Sequence, residues 1–175
     1  MAAVAFGKYD LLTVSEALDI AEDATGNFYR SSTDQWKNHP YDVKTLLSLR
    51  GDEISQRAFA VLNRGFRAVE VFEPKAKRRD YYFICLQDHR ILEALRRDKD
   101  LRLLPLLVYI LTHELVHIVR FCNFFQPFDA PREDMVKEEA IVHSITFKIL
   151  ENLKAPKINY VLDSYKGHRI CEMVG

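Results

Sequence analysis

The stretch that decides how this chain folds is Val108-Tyr-Ile-Leu-Thr-His113-Glu114-Leu-Val-His117-Ile-Val-Arg120. Two histidines and a glutamate sit in the middle of an apolar segment. On a helix, residues four apart stand one turn above each other on the same face. His113 and His117 therefore project together, and Glu114 lies on the flank of that face. Two imidazoles so placed can grip one Zn²⁺, with a carboxylate beside the metal's open position. Leu106, Leu107, Val108, Ile110, Leu111, Leu115, Val116, Ile118 and Val119 make the helix apolar nearly all round. Such a helix is buried. Two histidines and a glutamate inside it are costly unless paired or bound to a metal. The plainer alternative is a set of hydrogen-bonded core histidines.

A catalytic zinc takes three protein ligands and keeps one position open. The third ligand is expected from another element, and Lys137-Glu138-Glu139-Ala-Ile-Val-His143 offers it. This segment also reads as a buried helix, through Val136, Ala140, Ile141, Val142, Ile145, Phe147, Ile149 and Leu150. Glu139 and His143 are four apart and share a face. Glu138 lies about 100 degrees round and is expected to face outward. The alternative for both glutamates is a solvated acidic first turn that continues Glu133 and Asp134. Between His117 and Glu139 there is room for a loop and a reversal, so two antiparallel helices can face each other across one metal. Cys122 follows the motif helix and reads as a core thiol.

Composition agrees with one folded domain. The chain has 175 residues, 48% apolar and 29% charged, which is globular usage. Lys+Arg and Asp+Glu both number 25, for a formal net charge of zero. Nothing there predicts binding to nucleic acid or to an anionic membrane surface. Cys85, Cys122 and Cys171 are odd in number and widely spaced, which fits a reducing, cytoplasmic compartment. The N-terminal apolar run is too short for a signal peptide. The most apolar run, 103–119, carries Pro105, His113, Glu114 and His117 and falls short of about twenty apolar residues, so a core helix is expected and not a membrane span.

Around the motif, the pattern predicts a helical N-terminal part over 1–65, a core over 66–153 and a tail over 154–175, all in one domain. A helix over 13–24 is expected with Ser15 as N-cap. The segment 26–40, with Trp36, reads as loop. A short helix is expected over 41–49, and a further one over 52–63 capped by Asp52. The segments 66–72 and 81–86 read as strands of a hairpin whose tip holds Lys75, Lys77, Arg78 and Arg79. A short amphipathic helix follows over 88–97. Pro105 suits the first turn of the motif helix, and Pro131 opens the helix that carries Glu139. The fold class expected is α+β, a small antiparallel sheet packed on helices.

The two metal-binding segments resemble those of the gluzincins, zincin metallopeptidases of the thermolysin kind, whose third ligand is a glutamate on a following helix. Ile-Leu-Thr-His-Glu-Leu-Val-His has the family's uncharged flanks, and Glu139-Ala-Ile resembles its ligand-bearing Glu-Ala-Ile. The resemblance covers about residues 66–153 and singles out Glu139 over Glu138. His143 stands where the thermolysin group has an orienting aspartate. The likeness implies a minimal zincin core with strand 81–86 as an edge strand above the metal. It also implies a peptide or protein substrate. His113, His117 and Glu139 would hold Zn²⁺, which activates water, with Glu114 as general base and His143 as a further catalytic group. An extended peptide would add to the edge of 81–86. His143, Tyr160, Tyr165 and His168 are the candidates for stabilising an oxyanion. Two rivals remain. One is a non-catalytic zinc-binding module. The other is a di-iron bundle, for which Glu139 and His143 are spaced by four where Glu-x-x-His requires three.

Overall fold

The computed structural model describes residues 3–30, 41–66, 80–123, 126–166 and 171–174. Within them, five helices and a four-stranded mixed sheet form the α+β architecture. Helix α1 spans Lys8–Phe28, α2 Asp88–Arg97, α3 Leu103–Cys122, α4 Arg132–Glu151 and α5 Ile158–Ser164. Strand β1 is Tyr41–Lys44, β2 Ala60–Phe66, β3 Asp80–Leu86 and β4 Cys171–Val174.

The motif helix α3 is the hub. From Pro105 to Val119 every residue is buried. Helices α1, α4 and α5 pack around it and the sheet lies over it. It is long and apolar enough to cross a membrane by length and composition, longer than the sequence pattern suggested, but 83% of its most apolar window is buried inside the molecule. Tyr82, Ile84 and Leu86 alternate along β3 toward the same core, as a half-buried strand requires.

The sheet order is β1-β3-β2-β4. Strand β3 pairs antiparallel with β2, with Leu62 opposite Ile84, and parallel with β1, with Val43 opposite Ile84 on the other side. It is therefore an interior strand. The expected edge role of 81–86 is overturned, and with it the docking of an extended peptide there, because both sides of β3 are already paired.

Two helical expectations in the N-terminal part also fail, and a third, the helix over 13–24, forms but with an earlier start. Residues 41–44 form β1, and only Leu46–Ser48 turn helically, as a single 3₁₀ turn. Cross-strand pairing with β3 outweighs the weak helical spacing of Val43, Leu46 and Leu47. Residues 52–63 are not a helix. Gly51–Glu53 is another 3₁₀ turn, and β2 begins at Ala60. Polar side chains hold the segment open. The Gln87 side chain accepts the Ser55 N–H at 2.8 Å and donates to the Glu53 carbonyl at 2.9 Å. Asn63 donates to the buried Glu53 carboxylate at 2.9 Å. Helix α1 starts five residues before the expected 13, with Gly7 as its N-cap in place of Ser15, and the Asp10 carboxylate accepts the Gly7 N–H at 2.9 Å. The buried Asp88 carboxylate accepts both the Phe6 N–H at 2.8 Å and the Leu46 N–H at 3.1 Å, which ties the N-terminal segment to the start of α2. The expected strand 66–72, apart from Phe66, and the basic tip at 75–79 lie outside the described residues, as does Trp36.

Candidate metal centre

His113 and His117 are fully buried on one face of α3, which turns toward α4. The His117 ring lies flat against Phe121, one turn on, with centroids 5.8 Å apart. Phe121 is itself stacked against Tyr82 of β3, so the sheet fixes the orientation of the imidazole. From α4, the Glu139 carboxylate enters the same space. Its Oε1 is 2.9 Å from His113 Nε2 and its Oε2 is 3.0 Å from His117 Nε2. The two Nε2 atoms are 3.2 Å apart. A tetrahedral ion bound at 2.0–2.1 Å places its ligand atoms about 3.3 Å from one another. The two imidazole nitrogens, and each of them with one oxygen of the carboxylate, already stand at nearly that spacing, so the donor set fits a zinc ion.

His143 follows Glu139 by one turn of α4. Its Nε2 is 3.6 Å from Glu139 Oε1, and its ring meets His113 edge-on at 4.8 Å. The ligand atoms of His113, Glu139 and His143 all lie within 4.8 Å of one another. His143 Nδ1 is 3.2 Å from the Tyr109 hydroxyl. Tyr109 belongs to the site and sequence reasoning missed it. The signal was present, since Tyr109 precedes His113 by four residues and shares its helix face.

Glu138 does not face outward as expected. It is 2% exposed, and its carboxylate is gripped by Arg120 of α3 through Nε and through Nη2, the latter at 3.0 Å. The pair clamps α4 to α3 and leaves Glu139 to the face that meets His113 and His117. The second helix is also less enclosed than its composition suggested: Val136, Ile141 and Phe147 are exposed. Removing Arg120 strands the desolvated Glu138 carboxylate, and removing Glu138 takes a charge partner from Arg120. Glu138→Ala or Arg120→Ala is expected to cost about 3 kcal/mol in urea unfolding. The double variant should lose clearly less than the sum of the two; strict additivity would show that the pair does not couple.

Glu114 is fully buried on α3. Burial chiefly, with Glu53 and Glu114 among the charges that add to it, pushes the Cys85 thiol of β3 up to about 12. Cys122 is half-buried, and burial holds its thiol near 11, in keeping with a core thiol. Of the other oxyanion candidates, Tyr160 donates to Asp98 at 2.7 Å. Tyr165 stacks on the Tyr109 ring at 6.4 Å. His168 lies outside the described residues.

The charges in the site have a definite sign. Burial pushes the His113 imidazole down to about 4, against the upward pull of Glu139. Burial also opposes ionisation of Glu139, yet hydrogen bonds from His113 and His117 hold its carboxyl well below the ordinary value. An ionised Glu139 therefore faces a neutral His113. As pH falls from 6.5 towards 4, the unfolded chain binds a proton that folded His113 refuses, so stability without metal should fall across that window. Glu139 adds a loss below 4.5, since its stabilising contribution is present above that value and disappears as pH drops. Thermal midpoints of the metal-free protein from pH 7 to 4 test this, and a flat profile would contradict it.

No family model, curated protein or solved structure matches the chain.

Proposed function

We propose that the chain is a zinc-dependent hydrolase that cleaves peptide bonds, with His113, His117 and Glu139 as metal ligands. The observation that carries this reading is the convergence of His113 Nε2, His117 Nε2 and the Glu139 carboxylate within 2.9–3.2 Å, in the buried seam between α3 and α4. When bound, the ion would supply Lewis acidity and a water nucleophile near neutral pH. Glu114 is assigned the general base, by its place beside His113 in the motif. Tyr109 and His143 supply a donor. Burial holds the Tyr109 phenol well above its ordinary pKa, so it stays protonated. Among the described residues the only hydrogen-bond partner of its hydroxyl is His143 Nδ1, at 3.2 Å, and in the catalytic assignment the phenol donates to it. A neutral imidazole that accepts at Nδ1 carries its hydrogen on Nε2. His143 thus offers an Nε2–H to the site, suited to an oxygen that gains charge as a carbonyl is attacked.

That tautomer also bears on the second reading, a non-catalytic zinc module. A closed structural site needs a fourth protein ligand. His143 is the nearest candidate: with hydrogen instead on Nδ1, donated to the Tyr109 hydroxyl, its Nε2 would ligate. The test is metal analysis of the purified chain together with peptide hydrolysis. One zinc per chain, unchanged by His143→Ala, with hydrolysis that chelator removes, is expected. Zinc at background would overturn the assignment, and a zinc lost with His143 would favour the structural site.

A further inference from the structure

A cleft of about 360 Å³ opens directly beside His143. Tyr109 and His143 form its inner wall, Phe147 and Leu162 give it apolar sides, and Lys148, Glu151 and Lys166 stand around it. We propose that this cleft is the substrate subsite of the centre, and that it takes an apolar residue bearing a free carboxylate, as at the C-terminus of a short peptide. The proposal rests on the hydrolase assignment above and adds the substrate class.

Three observations point to that class. First, the cleft shares His143 and Tyr109 with the candidate centre, so a ligand in it meets the residue that carries the proposed donor. The alternative approach along β3 is closed, because both sides of that strand are paired. Second, the volume lies near the lower end of the range for small-ligand sites, about 300–1,000 Å³. It suits one or two residues and not a long extended chain. Third, the lining is divided by chemistry. Leu162 is buried and Phe147 is 39% exposed, so a large apolar side chain would cover surface that α4 otherwise presents to water. Lys148 and Lys166 are exposed cations with no acidic partner among the described residues. They suit a carboxylate at the mouth of the cleft. Glu151 offers an acceptor to a peptide N–H and disfavours a second anionic group.

Binding of N-acetyl-L-phenylalanine tests the proposal, with N-acetyl-L-phenylalaninamide as the uncharged control. N-acetyl-L-phenylalanyl-L-glutamic acid α-amide serves as an arm that supplies the carboxylate from a side chain. Titrations followed by amide NMR use the 175-residue chain with and without added zinc. Saturable binding of the acid is expected, with shifts at His143, Phe147 and Leu162. The amide should bind about fivefold more weakly, the size that two exposed ion pairs allow. In K148A/K166A the acid should fall to the level of the amide. Equal binding of acid and amide, an acid affinity unchanged in K148A/K166A, or no saturable binding would overturn the proposal. Tighter binding of the glutamate arm than of the acid would overturn its terminal-carboxylate form. The two assignments fail separately. Acid-selective binding by a chain that takes up no zinc supports the cleft and overturns the hydrolase. Zinc-dependent hydrolysis without any preference for the acid does the reverse.

Discussion

Glu139→Gln is expected to lower zinc affinity by at least about 100-fold, since loss of a mere outer-sphere partner already costs 10- to 100-fold. The glutamine keeps the shape of the side chain and removes the charge that faces His113 Nε2 at 2.9 Å and His117 Nε2 at 3.0 Å. Its neighbour provides an internal control. Glu138 is bound to Arg120, so Glu138→Gln should weaken folding and leave zinc affinity within a few fold. Two adjacent glutamates would then separate cleanly, one in metal binding and the other in stability. Competition with a chromogenic chelator measures the first, and urea unfolding of the metal-free chain the second. Equal zinc affinity in Glu139→Gln and the parent would remove Glu139 from the ligand set.

The second large effect is on turnover. Glu114→Gln should reduce peptide hydrolysis by about 10²–10⁴-fold, the usual contribution of a positioned general acid or base, while one zinc per chain is retained. Glu114 is fully buried on α3, so an isosteric amide is the least disruptive replacement. Its effect should therefore fall on kcat and not on the unfolding midpoint. Full activity in this variant would exclude Glu114 as the base. Loss of zinc along with activity would show that its charge holds the centre together.

Much of the site could be read from the chain because helical spacing is local. His113 with His117, and Glu139 with His143, each follow from the four-residue repeat, and the structure brings the two pairs together across one seam. Motif helix, α2 and the start of α4 were legible for the same reason: caps, prolines and apolar stripes act within one turn. Glu138 was misread because its partner is eighteen residues away, on another helix. A charge that spacing sends outward was drawn inward by Arg120. The failures in the N-terminal part have the same origin. Tyr41–Lys44 and Ala60–Phe66 are short segments of mixed polarity whose strand character comes from β3, to which neither shows any local sign of belonging. Register with a distant partner is invisible to periodicity, so the interior position of β3 could not be anticipated either.

The division between local and distant contacts also sets an order of events in time. Every residue of the candidate metal centre lies between Tyr109 and His143, whereas β2 reaches Cys171 of β4 only across most of the remaining chain. Closing a short loop costs less chain entropy than closing a long one. The α3–α4 hairpin should therefore assemble, and accept its ion, before β4 closes the sheet. In stopped-flow refolding, a metal-sensitive spectral change should run ahead of the last β-sheet signal, and added zinc should speed the early phase only. A centre formed in this way would act as a nucleus for the fold as well as a product of it.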